Sequence, residues 1–216
     1  MRLLASAPIL IVTPLLLCAC ARDDRAEPEA AREPPAEVAA ADAFMASIAQ
    51  HCGQAFAGRI VANEPVQEGV EDPFVGETLV MHVRQCVEGE LRIPFHVGDD
   101  RSRTWVLTRT PDGLRLAHDH RHEDGSPDAI SMYGGVTAEP GSARRQAFPV
   151  DADSIALFER EGLDASTTNV WAMEIEPGAR FLYELARPSG RLFQVEFDLA
   201  SPVEPPPAPW GSPDLD

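Results

Sequence analysis

Three of the six histidines in the chain lie within five residues, in the stretch 114–125, LRLAHDHRHEDG. Imidazole nitrogens bind zinc and copper, and carboxylates often complete such sites, so these residue types favour a metal centre. In a β-strand, His118, His120 and His122 lie on one face, because successive side chains alternate between the two faces. The spacing therefore predicts a strand-borne metal site, with zinc or copper as the ion.

The geometry of a strand limits how many of these side chains can share one ion. Neighbouring positions on one face are about 6.7 Å apart, whereas His118 and His122 are about 13 Å apart. The pattern is thus one His-x-His pair, which resembles the strand-borne pair of carbonic anhydrases. His120 can pair with either histidine, and Glu123 and Asp124 supply carboxylates near the turn that follows. The alternative interpretation is a solvated strand end whose acidic side chains pair with arginines.

The rest of the sequence carries few signs of catalysis. All 18 basic residues are arginine, so a phosphate-loop lysine, a Schiff-base lysine and a Ser-x-x-Lys nucleophile are excluded. The sequence also lacks a Gly-x-Ser-x-Gly elbow, a glycine-rich phosphate loop and a His-Glu-x-x-His motif. A metal-dependent hydrolase centred on residues 118–124 would need an open coordination position and a carboxylate base. A non-enzymatic binding role is therefore favoured over catalysis.

The first twenty residues predict export from the cytoplasm. Arg2 precedes a long apolar run that ends in small residues, which is typical of a secretory signal rather than a spanning helix. The segment Leu17-Cys18-Ala19-Cys20 resembles the lipobox of bacterial lipoproteins. The resemblance implies that residues 1–19 are removed, that Cys20 is lipidated, and that the protein is anchored in the membrane. Ala21 replaces the aspartate common in inner-membrane lipoproteins, which points to the periplasmic face of the outer membrane.

The four cysteines divide into two groups on this interpretation. Cys18 leaves with the signal and Cys20 is acylated, so only Cys52 and Cys86 remain. Disulfides persist in oxidising compartments outside the cytoplasm, and the spacing of this pair is unlike that of a redox motif. We therefore predict a structural disulfide between Cys52 and Cys86.

Charge and composition divide the chain into a tether, a domain and a tail. The formal net charge is −17, which argues against a nucleic-acid partner because phosphates require a basic face. Residues 20–37 are small, charged and proline-containing, which predicts a flexible acidic tether. Residues 38–203 form one domain, and the proline-rich tail 204–216 is expected to be extended, with Trp210 docking on the domain.

The domain begins with helical spacing and continues as hairpins. Apolar residues recur at helical spacing over 38–56, and a second, short helix is predicted at 154–161, capped by Asp153. The strand candidates are 78–87, 91–97, 103–110, 114–121, 169–175, 180–186 and 191–199. Eight or so antiparallel strands joined by hairpins predict a mainly β meander, either a curled sheet or a lipocalin-like barrel that holds a small ligand. A β-sandwich is the alternative.

Two turns determine the expected strand register. We take residues 88–90 and 111–113 as three-residue loops, the second with its glycine in the left-handed region. These loops predict two cross-strand pairs, His82 with His96 and Val106 with His118. The first pair is a weaker candidate metal site, because two imidazoles without a carboxylate bind a metal poorly. Which face of the second hairpin is interior stays open.

The phrases IPFHVGDDRSRTW, HDHRHEDGSPDAISMYGG and VEFDLASPV resemble an uncharacterised family of bacterial secreted proteins. This resemblance implies an envelope protein without implying a mechanism. Three hypotheses follow for the function: a binding module for a small ligand or metal, a metal-dependent hydrolase, or a structural lipoprotein that contacts other envelope proteins.

Overall fold

The computed structural model describes residues 36–65 and 72–213. The predicted signal sequence, the predicted lipidation site Cys20 and almost all of the predicted tether lie outside these ranges. None of the described helices is long and apolar enough to span a bilayer.

The described chain contains two α-helices, one 3₁₀ helix and eleven strands. The helices are α1 (Ala36–Ala49), α2 (Ala152–Arg160) and the 3₁₀ helix (Asp164–Thr168). The strands are β1 (Ala55–Glu64), β2 (Leu79–His82), β3 (Gln85–Val87), β4 (Glu90–Val97), β5 (Asp100–Thr110), β6 (Gly113–His120), β7 (Tyr133–Val136), β8 (Arg145–Pro149), β9 (Val170–Glu176), β10 (Arg180–Ala186) and β11 (Leu192–Val203).

Ten of these strands form a nearly closed antiparallel barrel. The hydrogen-bonded order is β7-β6-β5-β4-β2-β1-β11-β10-β9-β8, with β3 paired to β4 beside this path. At the remaining seam, β7 approaches the end of β8 through a bridge between Gly135 and Val150. The Asp151 amide also donates to the Gly134 carbonyl at 3.0 Å. The predicted meander barrel is thus confirmed, and the sandwich alternative is wrong.

The interior is filled because inward and outward side chains alternate along each strand. In β11, Phe193, Val195, Phe197 and Leu199 are buried, whereas the residues between them are partly or fully exposed. The same alternation on the other strands produces one core that is rich in aromatic rings.

Helix α1 packs against β6, β8 and β9 and is held there by the predicted disulfide. Its buried residues Phe44 and Ile48 belong to the barrel core. The helix ends at Ala49, earlier than the apolar spacing predicts. Cys52, in the turn after it, is bonded to Cys86 of β3. The disulfide is thus present in the structure and joins the helical segment to a strand.

Both predicted registers are wrong, because each turn has two loop residues and not three. Val87 pairs with Glu90, and His96 of β4 lies opposite Val80, with the strand interrupted before β3 begins. Thr110 pairs with Gly113, which is an extended strand residue and not the left-handed residue of the turn. His118 therefore lies opposite Trp105 instead of Val106.

Helix α2 begins two residues earlier than predicted. Its N-cap is Asp151, whose carboxylate accepts a hydrogen bond from the Ser154 amide at 2.8 Å. Asp153, the predicted cap, lies within the first turn of the helix. Carboxylates are favourable at both positions, so the helix is stabilised at its N-terminus all the same.

The C-terminal tail returns to the outer surface of the barrel, as the sequence predicts. The Trp210 amide donates to the Arg101 carbonyl at 3.1 Å, and the Arg101 side chain donates to the Ala208 carbonyl at 3.3 Å. The Arg84 guanidinium also donates to the Pro213 carbonyl. Three backbone groups of the tail are thus tied to the domain.

The seam between β7 and β8 depends on a glycine. A Cβ at Gly135 would overlap the carbonyl oxygen of Pro149 and lie 2.7 Å from that of Phe148. We expect Gly135→Ala to lower the free energy of unfolding by about 2–3 kcal/mol, because the backbone itself must move. Urea titration followed by far-ultraviolet circular dichroism measures this value.

Gly178→Ala is a matched control for that substitution. Gly178 has a φ of 70° and no neighbour within 4 Å, so a methyl group there strains only the turn. We expect a loss of about 1 kcal/mol. Equal losses for the two variants would contradict the role assigned to the seam.

Candidate functional site

A cavity of about 420 Å³ lies in the barrel at the end opposite α1. It is bordered by the start of β5, the end of β6, and the turn that joins β10 to β11. Eleven of its twenty lining residues are apolar or aromatic, and the other nine are polar or charged. Its aromatic and imidazole lining residues are Phe74, Phe95, Trp105, His118, His120, Tyr133, Phe158, Trp171, Tyr183 and Phe193.

The aromatic wall is ordered by stacking between the neighbouring strands β4 and β5 and also between β5 and β10, which are not neighbours in the sheet. The Trp105 ring is stacked on Tyr183 with centroids 4.5 Å apart, and on Phe95 with centroids 4.9 Å apart. Trp171 lies against His118 at 5.0 Å on the other side. Stacked rings present flat, rigid apolar surfaces that suit a flat apolar ligand.

His118 is one of the most buried polar residues in the cavity wall, together with Asn169. Its Nδ1 lies 3.2 Å from the Tyr133 carbonyl, which can only accept, so Nδ1 carries the proton. Its Nε2 therefore accepts a hydrogen bond from the Tyr183 hydroxyl at 2.9 Å. Burial is the main cause that lowers the pKa of His118 to about 3, and nearby His120 adds to it. The imidazole is consequently neutral at neutral pH.

His120 is on the same inward face, nearer to solvent. Its Nε2 is 3.3 Å from the Tyr133 hydroxyl. Burial, followed by the Arg103 charge, lowers the pKa of His120, and Asp128 opposes this effect. Burial also raises the pKa of Tyr133 to about 12 and that of Tyr183 well above its usual value. These groups act as neutral hydrogen-bonding partners near pH 7.

The five residues of the predicted metal centre do not come together. His118 and His120 point into the cavity, but β6 ends at His120 and the next residues turn outward. His122, Glu123 and Asp124 are exposed. His122 Nε2 is 3.9 Å from an Asp128 oxygen, and Asp124 caps the Ser126 amide at 2.8 Å. Over residues 36–65 and 72–213, no three His, Cys, Asp or Glu side chains are arranged to hold a metal ion. Of the predicted ligands, only His118 and His120 therefore line the cavity.

The second predicted histidine pair is also altered. His82 and His96 do not lie directly opposite each other, yet the charge of His82 contributes to lowering the pKa of His96 to about 4, after burial as the main cause. His82 Nδ1 and His96 Nε2 are buried without a hydrogen-bond partner among the described residues. Both side chains face away from the barrel cavity, on the side of the sheet where the tail is bound.

Sequence reasoning missed most residues of the cavity. Trp105 and Tyr183 could have been identified from strand alternation with the correct register. Tyr133 lies on the short strand β7, which no strand candidate covers. Arg187 and Arg191 flank the predicted turn between β10 and β11, but only the fold shows that this turn borders the cavity.

A larger cavity of about 930 Å³ lies next to the barrel cavity, along β1 and residues 72–77. The two cavities share Phe74, Arg187 and Arg191 in their walls. The larger one lacks histidine and tyrosine, and Phe74 is its single aromatic lining residue among those described. The polar and aromatic groups suited to specific recognition are therefore concentrated in the barrel cavity.

No family model, curated protein or solved structure matches this chain. The residues of the site are therefore interpreted from their own geometry.

Proposed function

We propose that the protein is a non-enzymatic binding module that holds a small, flat, mainly apolar ligand in the barrel cavity. The observation that carries this proposal is the stacked wall of Trp105, Tyr183 and Phe95 around a cavity of about 420 Å³. Small-molecule sites are commonly apolar concavities with a few convergent polar groups. His120 supplies such a group at the side of the cavity, whereas both ring nitrogens of His118 are already hydrogen-bonded to Tyr133 and Tyr183.

The protonation states in the cavity favour binding over catalysis. A general acid or base works best when its pKa lies near the operating pH. The pKa of His118 is lowered to about 3 and that of Tyr133 is raised to about 12, so both are far from neutrality. Neither group would therefore exchange protons with a bound ligand near neutral pH.

The sequence supports a location for this module in the bacterial envelope. The lipobox-like segment that ends at Cys20 supports lipid anchoring on the periplasmic face of the outer membrane. The Cys52–Cys86 disulfide fits an oxidising compartment. In this proposal the domain acts as a ligand-binding part held at the membrane by its acylated N-terminus. Loss of membrane association in Cys20→Ala would support the anchor, and retention would contradict it.

A neutral fluorescent probe tests the binding proposal. N-phenyl-1-naphthylamine becomes more fluorescent in apolar sites, and we expect it to bind the full domain with one saturable site. Ile130 and Leu185 line the cavity, so Ile130→Phe/Leu185→Phe should weaken this binding about tenfold or more by filling the space. Val136→Phe, at an exposed position on β7, is the control and should bind like the wild type.

Two results would contradict the proposal. The first is no saturable binding of this or any other flat apolar probe. The second is equal binding by the cavity-filled variant, which would place the probe elsewhere and favour a structural role in contact with other envelope proteins.

A further inference from the structure

We infer that the ligand of the barrel cavity carries an oxyanion head group, which Arg187 and Arg191 bind at the mouth of the cavity. The inference rests on the proposed binding function and specifies the class of ligand. A carboxylate attached to a flat apolar body is the simplest member of this class. The body would lie along Trp105 and Tyr183, and the head group would face the two guanidinium groups.

Arg187 is held in place by neutral partners alone. Its Nε donates to Asn169 Oδ1 at 2.6 Å, and one terminal nitrogen is 3.3 Å from Ser166 Oγ. Asn169 is buried and lines the same cavity, so the contact fixes the guanidinium at the cavity edge. A guanidinium has five N–H donors, and these two contacts leave others for a ligand.

Arg191 is positioned in a similar way on the opposite side of the turn. One terminal nitrogen donates to Asn63 Oδ1 at 2.6 Å and lies 3.3 Å from the Glu64 carbonyl. The guanidinium carbon is 5.5 Å from the centroid of the Phe193 ring, which also lines the cavity. Both arginines are thus oriented without an ion pair to any carboxylate of the described residues.

The two guanidinium groups repel each other. The pKa of Arg187 is lowered, first by burial and then by the charge of Arg191. The backbone contributes to their proximity, since the Arg187 amide donates to the Arg191 carbonyl at 2.9 Å across the turn. An anion between the side chains would relieve this repulsion, and charge-assisted hydrogen bonds to an oxyanion are stronger than neutral ones.

Several arginines elsewhere on the barrel form ion pairs with carboxylates, although Arg84 and Arg101 donate to backbone carbonyls of the tail instead. Arg145 lies 3.3 Å from Glu174 and 2.8 Å from Glu184, and Arg180 lies 3.0 Å from Glu176. The third arginine of the cavity, Arg103, is paired with Asp100. Arg187 and Arg191 differ from Arg145, Arg180 and Arg103 in having only neutral partners, within the part of the chain that the structure describes.

The charged residues of the wall also determine the orientation of the ligand in the cavity. Asp128 is on the wall near His120, and its charge opposes the fall in the pKa of that imidazole. An anionic head group would be repelled there and attracted to the arginine side. The stacked rings of Trp105 and Tyr183 would then contact the apolar body.

Calorimetric titration of the full chain with 2-naphthoate, 2-naphthyl phosphate and neutral 2-naphthamide tests the inference. We expect both anions to bind about tenfold more tightly than the amide, since charged hydrogen bonds are added. The ratio between naphthoate and naphthyl phosphate shows which oxyanion the site prefers. In Arg187→Gln/Arg191→Gln, the anions should lose about tenfold in affinity while the amide is unchanged.

The control for net charge is Arg144→Gln/Arg160→Gln, which alters two exposed arginines that do not line the cavity. It should leave the preference for the anions intact. If naphthamide binds as tightly as the anions, or if both double variants weaken the anions equally, the inference is overturned while the binding function stands. If none of the three compounds binds and the neutral naphthylamine also fails, the binding function falls together with the inference.

Discussion

Lowering the pH from 7.5 to 5 should reduce the free energy of unfolding by about 4 kcal/mol through His118 and His96 alone. The pKa of His118 is lowered to about 3 and that of His96 to about 4, with burial as the main cause in both cases. Both side chains are at least 96% buried. In the unfolded chain each imidazole has a pKa of about 6.5.

The sign follows from proton uptake. Between pH 6.5 and the folded pKa values, the unfolded chain binds protons that the folded chain does not, so stability falls as the pH falls. At pH 5 each histidine contributes a loss of about 2 kcal/mol, because pH 5 is about 1.5 units below the pKa of the imidazole in the unfolded chain. Burial also lowers the pKa values of His82 and His120, which adds to the loss in the same direction.

Urea unfolding at several pH values between 7.5 and 5 measures this effect. His118→Gln and His96→Gln remove one titrating group each, so each variant should lose about 2 kcal/mol less than the wild type over this range. The compared quantity is the slope of the unfolding free energy against pH. A variant that is less stable by the same amount at every pH keeps this slope unchanged. His122→Gln, at an exposed position, is the control. A wild type whose stability is flat down to pH 5 would contradict the assignment of neutral buried imidazoles.

Removing the disulfide is expected to cost about 3–4 kcal/mol of unfolding free energy in the chain-entropy model. The bond links Cys52 and Cys86, which are separated by 34 residues, and so restricts a large loop of the unfolded chain. In the folded state it joins the segment after α1 to β3, while α1 contributes Phe44 and Ile48 to the core. Loss of the bond should therefore favour detachment of α1 before the barrel itself opens.

The double variant Cys52→Ala/Cys86→Ala and the reduced wild type provide two independent measurements. Both should unfold at a similarly lower denaturant concentration, and the variant should not respond to reductant. Hydrogen exchange in α1 should accelerate more than exchange in β10, which is in the barrel wall. Identical unfolding of the oxidised and reduced wild type would contradict this prediction.

The two predictions act on different parts of the molecule and can be combined. The pH dependence of stability depends on the burial of histidines on the two faces of the sheet. The stability lost with the disulfide depends on the connection between α1 and the sheet. Their effects should be nearly additive, because His118 contacts neither cysteine. A variant that lacks the disulfide should therefore keep the slope of stability against pH.

Local sequence patterns were sufficient for the fold class. The alternation in β11 and the turn residues after β9 and β10 are local signals, and they predicted the meander because hairpins join neighbouring strands. The cysteine pair was predictable from compartment and count, since the lipobox-like segment predicts that Cys18 is cleaved off and Cys20 is acylated, which leaves Cys52 and Cys86. The return of Trp210 to the domain also agreed with the prediction.

The site depended on tertiary structure for two physical reasons. A turn of two residues instead of three at Pro111 changes the cross-strand partner of His118 from Val106 to Trp105, and a one-residue shift changes every such partner. Strand β6 ends at His120, so His122 lies outside the cavity. Strand spacing alone had placed all three histidines on one face. Sequence by itself predicted the disulfide, both α-helices and every strand except β1, β7 and β8, because these follow from short-range periodicity and composition. Only the closed barrel decided which face is buried and that Arg187 and Arg191 meet at a cavity, because both depend on contacts between distant strands.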